Sequence, residues 1–375
     1  NHSAFYNLTL SGSGNNYGYG NDNNNTIVGN SGSNTIKTFG GNDKVYGGKG
    51  TDTVELGDGN DYVRVGGGAE SFDGGAGKDY ISYYDSTGGV NINLATDAVS
   101  GSWASNDTIS GFESASGSRM GGDVIYGTAG SNTIKTYGGN DKVYGGKGTD
   151  TVELGDGNDY VRVGGGAESF DGGAGKDYIS YYDSTGGVNI NLATDAVSGS
   201  WASNDTISGF ESASGSRMGG DVIYGTAGSN TIKTYGGNDK VYGGAGNDKI
   251  EGGSGKDSIE GGSGRDYMYA GNDSDRDVFI FRDIDETVTG SQRDRIYQFD
   301  SGEDDIDLSF IDANEDSAGD QSFKFSSNGA AANSVWAQDS GSNVLVRGDV
   351  NGDTIHDFEI YVASVDDLYV YDFIL

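Results

Sequence analysis

The chain has 375 residues, of which 69 are glycine and none is proline or cysteine, and its formal net charge is −34. Only 33% of the residues are hydrophobic, so a conventional core cannot bury enough apolar surface to offset the conformational entropy of the chain. The charge argues against nucleic acid and anionic membrane surfaces as partners, because their phosphates would repel the chain, and it favours multivalent cations.

Residues 1–24 are predicted to be an N-terminal segment that leads into a repeat region. Their opening, NHSAFYNLTL, has no initiating Met and no signal-peptide pattern, so we expect a processed chain or a piece of a longer one. No apolar run approaches the about 18 residues of a membrane span, so none is predicted. Because the chain has no cysteine, its composition does not indicate whether it resides in an oxidising or a reducing compartment.

The repeat region contains a long period of 98 residues. Residues 33–130 recur at 131–228 with one difference, Phe39 to Tyr137, and a partial third copy begins at 229. Whatever one copy does is therefore presented a second time farther along the chain.

A shorter period of nine residues, GGxGxDxUx, lies within the long one. Its glycines permit the positive φ angles of a tight turn, and its last three positions make a short strand with one inward apolar side chain. Two such repeats form a coil of 18 residues, so acids 18 apart are predicted to stack about one strand spacing, ~4.8 Å, from each other. Asp43, Asp61 and Asp79 are expected on one edge. Helix signals are almost absent, and the prediction is an all-β parallel β-roll, or β-solenoid.

Carboxylates stacked so closely repel unless a hard divalent cation lies between them. Ca²⁺ takes about six to eight oxygen ligands in flexible geometry, and a glycine-rich turn supplies carbonyl oxygens beside the carboxylate. We therefore predict that several calcium ions bind at Asp43, Asp52, Asp61, Asp79, Asp141, Asp150, Asp159, Asp177, Asp239, Asp248, Asp257 and Asp266.

Some turns keep the period with another residue in place of Asp. Glu70 and Glu168 are possible metal ligands. The turns at Asn25, Asn34, Asn132 and Asn230 are expected to close coils without binding metal well.

The nine-residue period is lost between Asp79 and Asp123 and again between Asp177 and Asp221. The pieces VNINLA, DTISGF and DVIYG still have the pattern of strands. We predict longer coils with surface loops, which contain Trp103 and Trp201, within one continuous solenoid.

Over roughly residues 25–276 the sequence resembles the RTX (repeats-in-toxin) family. The resemblance implies a parallel β-roll that folds on binding calcium after export by a type I secretion apparatus, and hence a secreted, extracellular or cell-surface protein. Residues 277–375, from DVFIFRDIDE to the closing DFIL, look like the C-terminal part of serralysin-type proteins. In that family this part is a β-rich cap on the roll and carries the type I secretion signal.

The C-terminal region holds a second possible ion site in DVNGDTIHD. Asp349, Asn351, Asp353 and Asp357 occupy positions 1, 3, 5 and 9 of an EF-hand-like loop, which lacks Gly at position 6 and Glu at position 12. The alternative interpretation is a polar turn between two strands.

No catalytic site is predicted in this chain. The only histidines are His2 and His356, so the HExxH helix of a zinc protease is absent, and there is no GxSxG and no cysteine nucleophile.

Three functions remain open. The first is a non-catalytic structural or surface component of an S-layer, fibre or adhesin, with possible self-association. The second is the C-terminal folding and secretion module of a larger secreted protease, lipase or alginate epimerase. The third is a carbohydrate-binding module for a cell-surface polysaccharide, although its aromatic residues also suit packing; they are Tyr83, Tyr84, Trp103, Tyr181, Tyr182 and Trp201.

Overall fold

The computed structural model describes residues 5–314 and 317–375, so the first four residues of the predicted N-terminal segment lie outside the described residues. The chain forms two compact units. The first comprises the residues up to Ile179 together with Asn204–Phe210, and the second comprises Ser180–Ser203 and Glu211–Leu375. Among the described residues there is no α-helix, and the three short 3₁₀ helices are Ile284–Glu286, Gly290–Gln292 and Val370–Asp372.

Short strands account for the remaining regular structure of the described residues. The first nineteen are β1 Asn7–Thr9, β2 Tyr17–Tyr19, β3 Thr26–Val28, β4 Thr35–Lys37, β5 Lys44–Tyr46, β6 Thr53–Gly59, β7 Tyr62–Arg64, β8 Ser71–Gly77, β9 Tyr80–Ser82, β10 Val90–Asn93, β11 Ala98–Gly101, β12 Thr108–Ser110, β13 Ser114–Ser116, β14 Val124–Tyr126, β15 Thr133–Lys135, β16 Lys142–Tyr144, β17 Thr151–Gly157, β18 Tyr160–Arg162 and β19 Ser169–Gly175. The others are β20 Tyr178–Ser180, β21 Val188–Asn191, β22 Ala196–Gly199, β23 Thr206–Ser208, β24 Ser212–Ser214, β25 Val222–Tyr224, β26 Thr231–Lys233, β27 Lys240–Ala245, β28 Lys249–Glu251, β29 Ser258–Ser263, β30 Tyr267–Tyr269, β31 Val278–Ile280, β32 Arg295–Tyr297, β33 Asp305–Asp307, β34 Lys324–Phe325, β35 Ser334–Asp339, β36 Asn343–Gly348, β37 Phe358–Ala363 and β38 Phe373–Ile374.

In the first unit, alternate strands along the chain pair in parallel. One ladder runs β1-β3-β5-β7-β9-β13-β15-β17-β19-β23, and a second runs β2-β4-β6-β8-β12. A third contains β10, β14, β16 and β18. Because consecutive strands belong to different ladders, each coil of the chain adds one strand to each of two facing ladders. This is the predicted parallel β-roll.

The core of the roll is a stack of single apolar side chains. In β3, β5 and β7 the central residues Ile27, Val45 and Val63 are register partners and are fully buried. Their neighbours within each strand are half-buried or exposed. The register advances by 18 residues per coil, from Ile27 to Val45 to Val63. The predicted inward position, two residues after each turn acid, is therefore confirmed.

The stretch between Asp79 and Asp123 forms longer coils that keep the ladders in register. Strand β8 pairs with β12 and β9 with β13, at offsets of 37 and 34 residues. The predicted strands in VNINLA, DTISGF and DVIYG are present as β10, β12 and β14. The sequence did not reveal that β10 also pairs antiparallel with β11, which makes a hairpin at the edge of its sheet.

The second unit is built in the same way. One parallel ladder runs β21-β25-β27-β29-β31-β33-β38, and the other runs β24-β26-β28-β30-β32-β37. Strands β31 to β33 show that parallel pairing continues past residue 276, where the nine-residue repeats end. The rest of the C-terminal region adds an antiparallel meander, β35-β36-β37, which joins the ladder through β32.

The single inward side chain of each strand yields a stability prediction. Phe72, the central apolar residue of the first half of β8, is 1% exposed, and Ser71 beside it faces solvent. We expect Phe72→Ala to lower the free energy of unfolding by about 3–5 kcal/mol, because it removes a buried ring and leaves a cavity. Ser71→Ala should change it by no more than about 0.5 kcal/mol. Chemical denaturation followed by circular dichroism measures both, and equal losses would contradict the assigned orientation.

Candidate metal centre

The turn acids stack in columns that are held by one repeated hydrogen bond. The backbone N–H of Asp43 donates to Oδ1 of Asp61 at 2.7 Å, and the N–H of Asp61 donates to Oδ1 of Asp79 at 2.8 Å. The same bond, from the residue 18 positions earlier, reaches Oδ1 of Asp43, Asp52, Asp141, Asp150, Asp159, Asp177, Asp239, Asp248, Asp257 and Asp266. The structure thus brings the predicted acids together at the predicted spacing.

The second carboxylate oxygen is left without a protein partner. Oδ2 is buried and accepts no hydrogen bond in Asp52, Asp61, Asp79, Asp150, Asp159, Asp248, Asp257 and Asp266. A buried carboxylate oxygen without a donor is costly, because it has lost water and gained nothing in exchange. A cation or a proton at this oxygen would therefore stabilise each such turn.

Burial of these carboxylates raises their pKa values. Burial raises the pKa of Asp52 to about 6 and that of Asp248 to about 7. For Asp79 burial and the neighbouring charge of Asp61 raise the pKa to about 7, although the N–H of Asp61 acts in the opposite direction. Burial raises the pKa of Asp257 to about 8. These shifts show that the fold by itself stabilises the charged carboxylates poorly.

The first glycine of several turns lets the unpartnered carboxylate oxygen pack closely against the backbone. A Cβ at Gly47, the first residue of its turn, would lie 2.9 Å from Oδ2 of Asp52, and one at Gly145 would lie 2.8 Å from Oδ2 of Asp150. At Gly252 a Cβ would lie 2.6 Å from Oδ2 of Asp257. The same Cβ would lie 2.9 Å from the carbonyl oxygen of Ala270. Only a residue without a side chain permits this close approach of two oxygen atoms.

This donor set fits a calcium ion. Carboxylate and carbonyl oxygens are the ligands that Ca²⁺ prefers, and it accepts irregular geometry. Within residues 5–314 and 317–375, no point is surrounded by three or more Asp, Glu or His side chains. An ion at these turns would therefore draw on main-chain carbonyl oxygens in addition to the carboxylates.

The columns include acids that the nine-residue period did not reveal. Oδ1 of Asp277 accepts the N–H of Asp257 at 2.8 Å, and Oδ1 of Asp294 accepts that of Asp266 at 2.7 Å. The N–H of Asp277 in turn donates to Oδ1 of Asp304. Their offsets are 20, 28 and 27 residues because inserted loops lengthen the coils. The signal that could have found them is an apolar residue two positions after each acid, as in the regular repeats.

Asp123, Asp221 and Asp107 were also missed. Asp123 and Asp221 donate their N–H groups to Asp141 and Asp239, so they extend those columns by one turn. Asp107 accepts the N–H of Glu70 at 2.9 Å. All three lie in the longer coils. There, the distance along the sequence to one of the neighbouring turns in the column is no longer 18 residues.

Glu70 and Glu168 lie at the turn-acid position but differ from the aspartates. Both carboxylate oxygens of each are buried without a hydrogen-bond partner. Burial, followed by the charges of Asp107 and Asp52, raises the pKa of Glu70 to about 8. Burial likewise raises the pKa of Glu168 to about 8. These two groups thus remain candidates for holding either a proton or a cation.

The asparagine turns are satisfied internally. Oδ1 of Asn34 accepts the N–H of Asn30 at 2.8 Å, and its Nδ2 donates to Oδ1 of Asn30 at 2.9 Å. In Asn132, Oδ1 accepts the N–H of Thr128 at 2.7 Å and Nδ2 donates to the carbonyl of Glu113 at 2.5 Å. The side-chain amide of each asparagine therefore has hydrogen-bond partners within the protein for both its oxygen and its nitrogen, and it needs no cation.

The EF-hand-like loop is also closed by its own hydrogen bonds. Asp349 accepts the N–H groups of Gly352 and Thr354, and Asp357 accepts the N–H of Val350 at 2.8 Å. Asn351 accepts the N–H of Asp353, and Asp353 accepts that of Ile355. The four side chains therefore hold a polar turn in this conformation.

The aromatic candidates divide into buried and surface groups. Tyr83 and Tyr181 are fully buried, and the hydroxyl of Tyr83 donates to Asp107 at 3.1 Å. Tyr84 packs edge-on against Tyr137, with ring centroids 4.7 Å apart, and Tyr182 packs in the same way on Tyr235. Trp103 lines a shallow groove of about 520 Å³ with Tyr46 and Arg64. Trp201, like Trp103, is half-buried.

A parallel roll whose glycine-rich turns stack acids at a fixed spacing is the architecture of a calcium-binding β-roll. The family model described as RTX calcium-binding nonapeptide repeat (4 copies) matches residues 19–54, 48–81, 120–152, 148–179, 218–250 and 242–277. The chain is accordingly an RTX calcium-binding β-roll protein, a family whose repeats bind Ca²⁺ and whose members are typically secreted.

The chain was also compared with curated proteins and with solved structures. No curated protein matches the chain significantly. The solution structure of the AlgE6R3 subunit from the Azotobacter vinelandii mannuronan C5-epimerase is 27% identical, over 41% of this chain and 76% of that chain, with a TM-score of 0.18. At that TM-score the fold assignment rests on the strand pairing and the repeats of this chain. No helix in the described parts of the chain is long and apolar enough to cross a membrane.

The raised pKa values predict an unusual pH dependence for the calcium-free protein. A group whose pKa is higher in the folded than in the unfolded state adds stability below its unfolded value, and this is lost as the pH rises through its folded value. The folded pKa values lie at about 6 for Asp52 and about 8 for Asp257, against 3.8 normally. Calcium-free protein should therefore have more β-structure at about pH 4–5 than at about pH 8.

Far-UV circular dichroism of thoroughly dialysed protein over that pH range tests this expectation. Saturating calcium should remove or reverse the dependence, because metal binds the deprotonated carboxylates. An increase in β-structure with rising pH in the absence of calcium would contradict the assignment of the buried acids.

Proposed function

We propose that this protein is a secreted, non-catalytic structural or surface component whose roll folds when calcium binds at its turns. The observation that carries the proposal is the column of buried carboxylates, each with one oxygen bonded to the preceding coil and the other without a partner. The proposed ligands are the predicted aspartates, with Glu70 and Glu168 as further candidates. Asp349, Asn351, Asp353 and Asp357 are assigned to a polar turn.

Folding and binding are coupled through these carboxylates. Bound calcium supplies the positive charge that offsets the repulsion within each column. The acids are brought to one edge only when the coils are wound, so the chain binds strongly only in its folded form, and the free energy of binding adds to that of folding. A chain of net charge −34 should remain unfolded where calcium is scarce, as in the cytosol during type I export, and fold outside the cell.

The duplication supports a display or assembly role. The 98-residue units carry the same surface residues twice, including Met120 and Met218, which are both 75% exposed. Phe39 and its counterpart Tyr137, the one difference between the copies, are also exposed. RTX repeat regions are generally non-catalytic, and the sequence offers no nucleophile with a histidine base. A surface built from repeated units suits self-association or the binding of a cell-surface polysaccharide.

A second candidate function is that of a folding and export module for a larger secreted enzyme. It is favoured by the C-terminal region, in which β31, β33 and β38 extend one ladder and the meander of β35 to β37 joins the other ladder through β32. The encoded length of the precursor separates the candidates, since an upstream catalytic domain would support the module. Export of a reporter fused to residues 277–375 by a type I apparatus tests the secretion signal, with a fusion lacking the last four residues as control.

The first prediction from calcium-coupled folding concerns the whole chain. In chelator at neutral pH the protein should give the circular dichroism of a disordered chain, and about millimolar calcium should convert it to a β-rich form. Magnesium at the same concentration should be much less effective, because it demands a stricter octahedron and keeps its water. A β-rich spectrum that is independent of calcium would contradict the proposed function.

The second prediction compares two turns. Asp257 accepts the N–H of Asp239 and leaves Oδ2 unpartnered, whereas Asn34 satisfies its amide internally. Asp257→Ala should raise the calcium concentration at the folding midpoint severalfold, since a charge-assisted interaction contributes about 1.5–3 kcal/mol. Asn34→Ala should shift it less. Calcium titrations monitored by circular dichroism measure both midpoints, and equal shifts would count against the stacked-acid model.

A further inference from the structure

A shallow groove on the surface of the first unit combines aromatic rings with charged side chains. Its volume is about 520 Å³, and glycines of two adjoining turns form part of its lining. The aromatic and charged residues that line it are Tyr46, Lys49, Arg64, Asp85 and Trp103. Calcium-coupled folding assigns no role to any of these side chains.

Trp103 forms an apolar wall of the groove. It stands in the loop between β11 and β12, and its side chain reaches back over the turn at Gly67. A Cβ at Gly67 would lie 3.8 Å from Cδ2 and from Cε2 of Trp103, the two atoms that both rings of the indole share. The centre of the indole therefore contacts the turn. The side chain is only half-buried, so part of the ring is accessible from the groove.

Arg64 and Asp85 form a fixed polar pair at the groove. Nε of Arg64 donates to Oδ2 of Asp85 at 2.6 Å, and Nη2 donates to Oδ1 at 2.5 Å. The guanidinium carbon also lies 4.9 Å from the ring centroid of Tyr84. Asp85 is exposed, and a carboxylate has about four acceptor positions, so it can accept further hydrogen bonds from a ligand. The exposed Lys49 adds a donor.

Tyr46 begins a row of half-buried tyrosines that extends from the groove. The ring centroids of Tyr46 and Tyr62 are 6.3 Å apart, and those of Tyr62 and Tyr80 are 5.7 Å apart. The three residues belong to β5, β7 and β9, which are neighbours in one ladder. The aromatic surface is therefore elongated, which suits a chain of several rings better than a single small molecule.

The roll itself does not require the charged residues of the groove. Two long periods after Lys49 and Arg64, the sequence has Ala245 and Glu260. The roll continues there nevertheless, with Ile259 fully buried at the inward position of β29. The groove residues are therefore not explained by the needs of the coil.

The polar groups of the groove favour a neutral ligand that is rich in hydroxyl groups. The exposed carboxylate of Asp85 repels an anion, and so does a chain of net charge −34. An apolar side chain of another protein would cover Lys49 and Asp85 without giving them hydrogen bonds, which is unfavourable. A neutral sugar has C–H groups that pack on an aromatic ring and hydroxyl groups that both donate and accept.

We propose that this groove binds a neutral polysaccharide. Sugar rings stack on Trp103 and Tyr46, and sugar hydroxyl groups bond to the charged side chains beside them. The inference rests on the proposed function, since only a folded roll brings these residues together, and it names the class of polysaccharide and the site that binds it. The sequence repeats the five lining residues one long period later, as Tyr144, Lys147, Arg162, Asp183 and Trp201.

Affinity electrophoresis of the full chain in native gels that contain calcium tests the inference. The neutral probes are hydroxyethyl cellulose, galactomannan and dextran, and a gel without polysaccharide is the reference. Carboxymethyl cellulose has the backbone of hydroxyethyl cellulose but carries carboxylates, so it is the matched anionic probe. At least one neutral polysaccharide should retard the protein. Retardation by none of them, or stronger retardation by carboxymethyl cellulose than by every neutral probe, would overturn the inference.

Variants changed in both copies locate the site. Trp103→Ala with Trp201→Ala should weaken binding by about tenfold or more, because large aromatic side chains contribute most to such contacts. Lys49→Ala with Lys147→Ala should weaken it by about threefold through loss of a hydrogen bond. Lys78→Ala with Lys176→Ala removes the same charge outside the groove and should leave binding unchanged.

Tryptophan fluorescence of the unaltered protein gives a second measurement that needs no variant. Trp336 is buried, so quenching by acrylamide reports mainly on Trp103 and Trp201. The neutral polysaccharide that retards the protein should protect its fluorescence from acrylamide. Unprotected fluorescence would place the bound polysaccharide elsewhere and would overturn the assigned site.

The outcomes separate this inference from the proposed function. Circular dichroism first establishes that each protein is β-rich in the buffer of the gel. If the roll folds on addition of calcium but binds no neutral polysaccharide, the groove inference is wrong while calcium-coupled folding stands. If the roll is β-rich without calcium, the proposed function is wrong, and the same gels still decide whether the groove binds sugar. Self-association that the double tryptophan variant loses would make the groove a contact between copies and would overturn the inference.

Discussion

The fold depends on one hydrogen bond, from the N–H of a turn residue to the carboxylate 18 residues later. It draws each acid onto the coil beside it and buries it, and it satisfies only one of the two oxygens. Coils of 18 residues place each turn next to the equivalent turn of the following coil, so that this bond can form. The short strands between the turns bury one side chain each. An acidic chain that repels itself in solution is thereby arranged to gain a large amount of free energy from cations.

The apolar core and the acid columns have complementary roles. The stack that includes Ile27, Val45 and Val63 excludes water from the interior, but three-residue strands bury too little surface to stabilise a roll strongly by themselves. The columns at the turns add an ionic contribution that depends on conditions outside the chain. The two alternate along the sequence every nine residues, so each coil contributes to both the core and the columns.

Much of the candidate site could be predicted from the sequence, because its spacing is regular. An acid two positions before an apolar residue gives the coil length, the inward face and the stacking partner. The prediction failed to include Asp277, Asp294 and Asp304, since inserted loops change the offset to the next acid although the local pattern is kept. The hairpin of β10 and β11 was missed for a related reason: its partner strand lies in a loop without any period.

The sequence by itself determined the phase of the roll, the acids that stack and the chemical class of their ligand, because these follow from a strict period and from the residue types. Only the tertiary structure decided which groups around each acid are satisfied. Asn34 and Asp257 occupy equivalent positions in the period, yet the amide of Asn34 is bonded to Asn30 within its own turn, whereas Oδ2 of Asp257 is buried without a hydrogen-bond partner. The burial of Asp257 depends on the neighbouring coil, because its Oδ1 accepts the N–H of Asp239, 18 residues earlier, and a local pattern does not contain that contact.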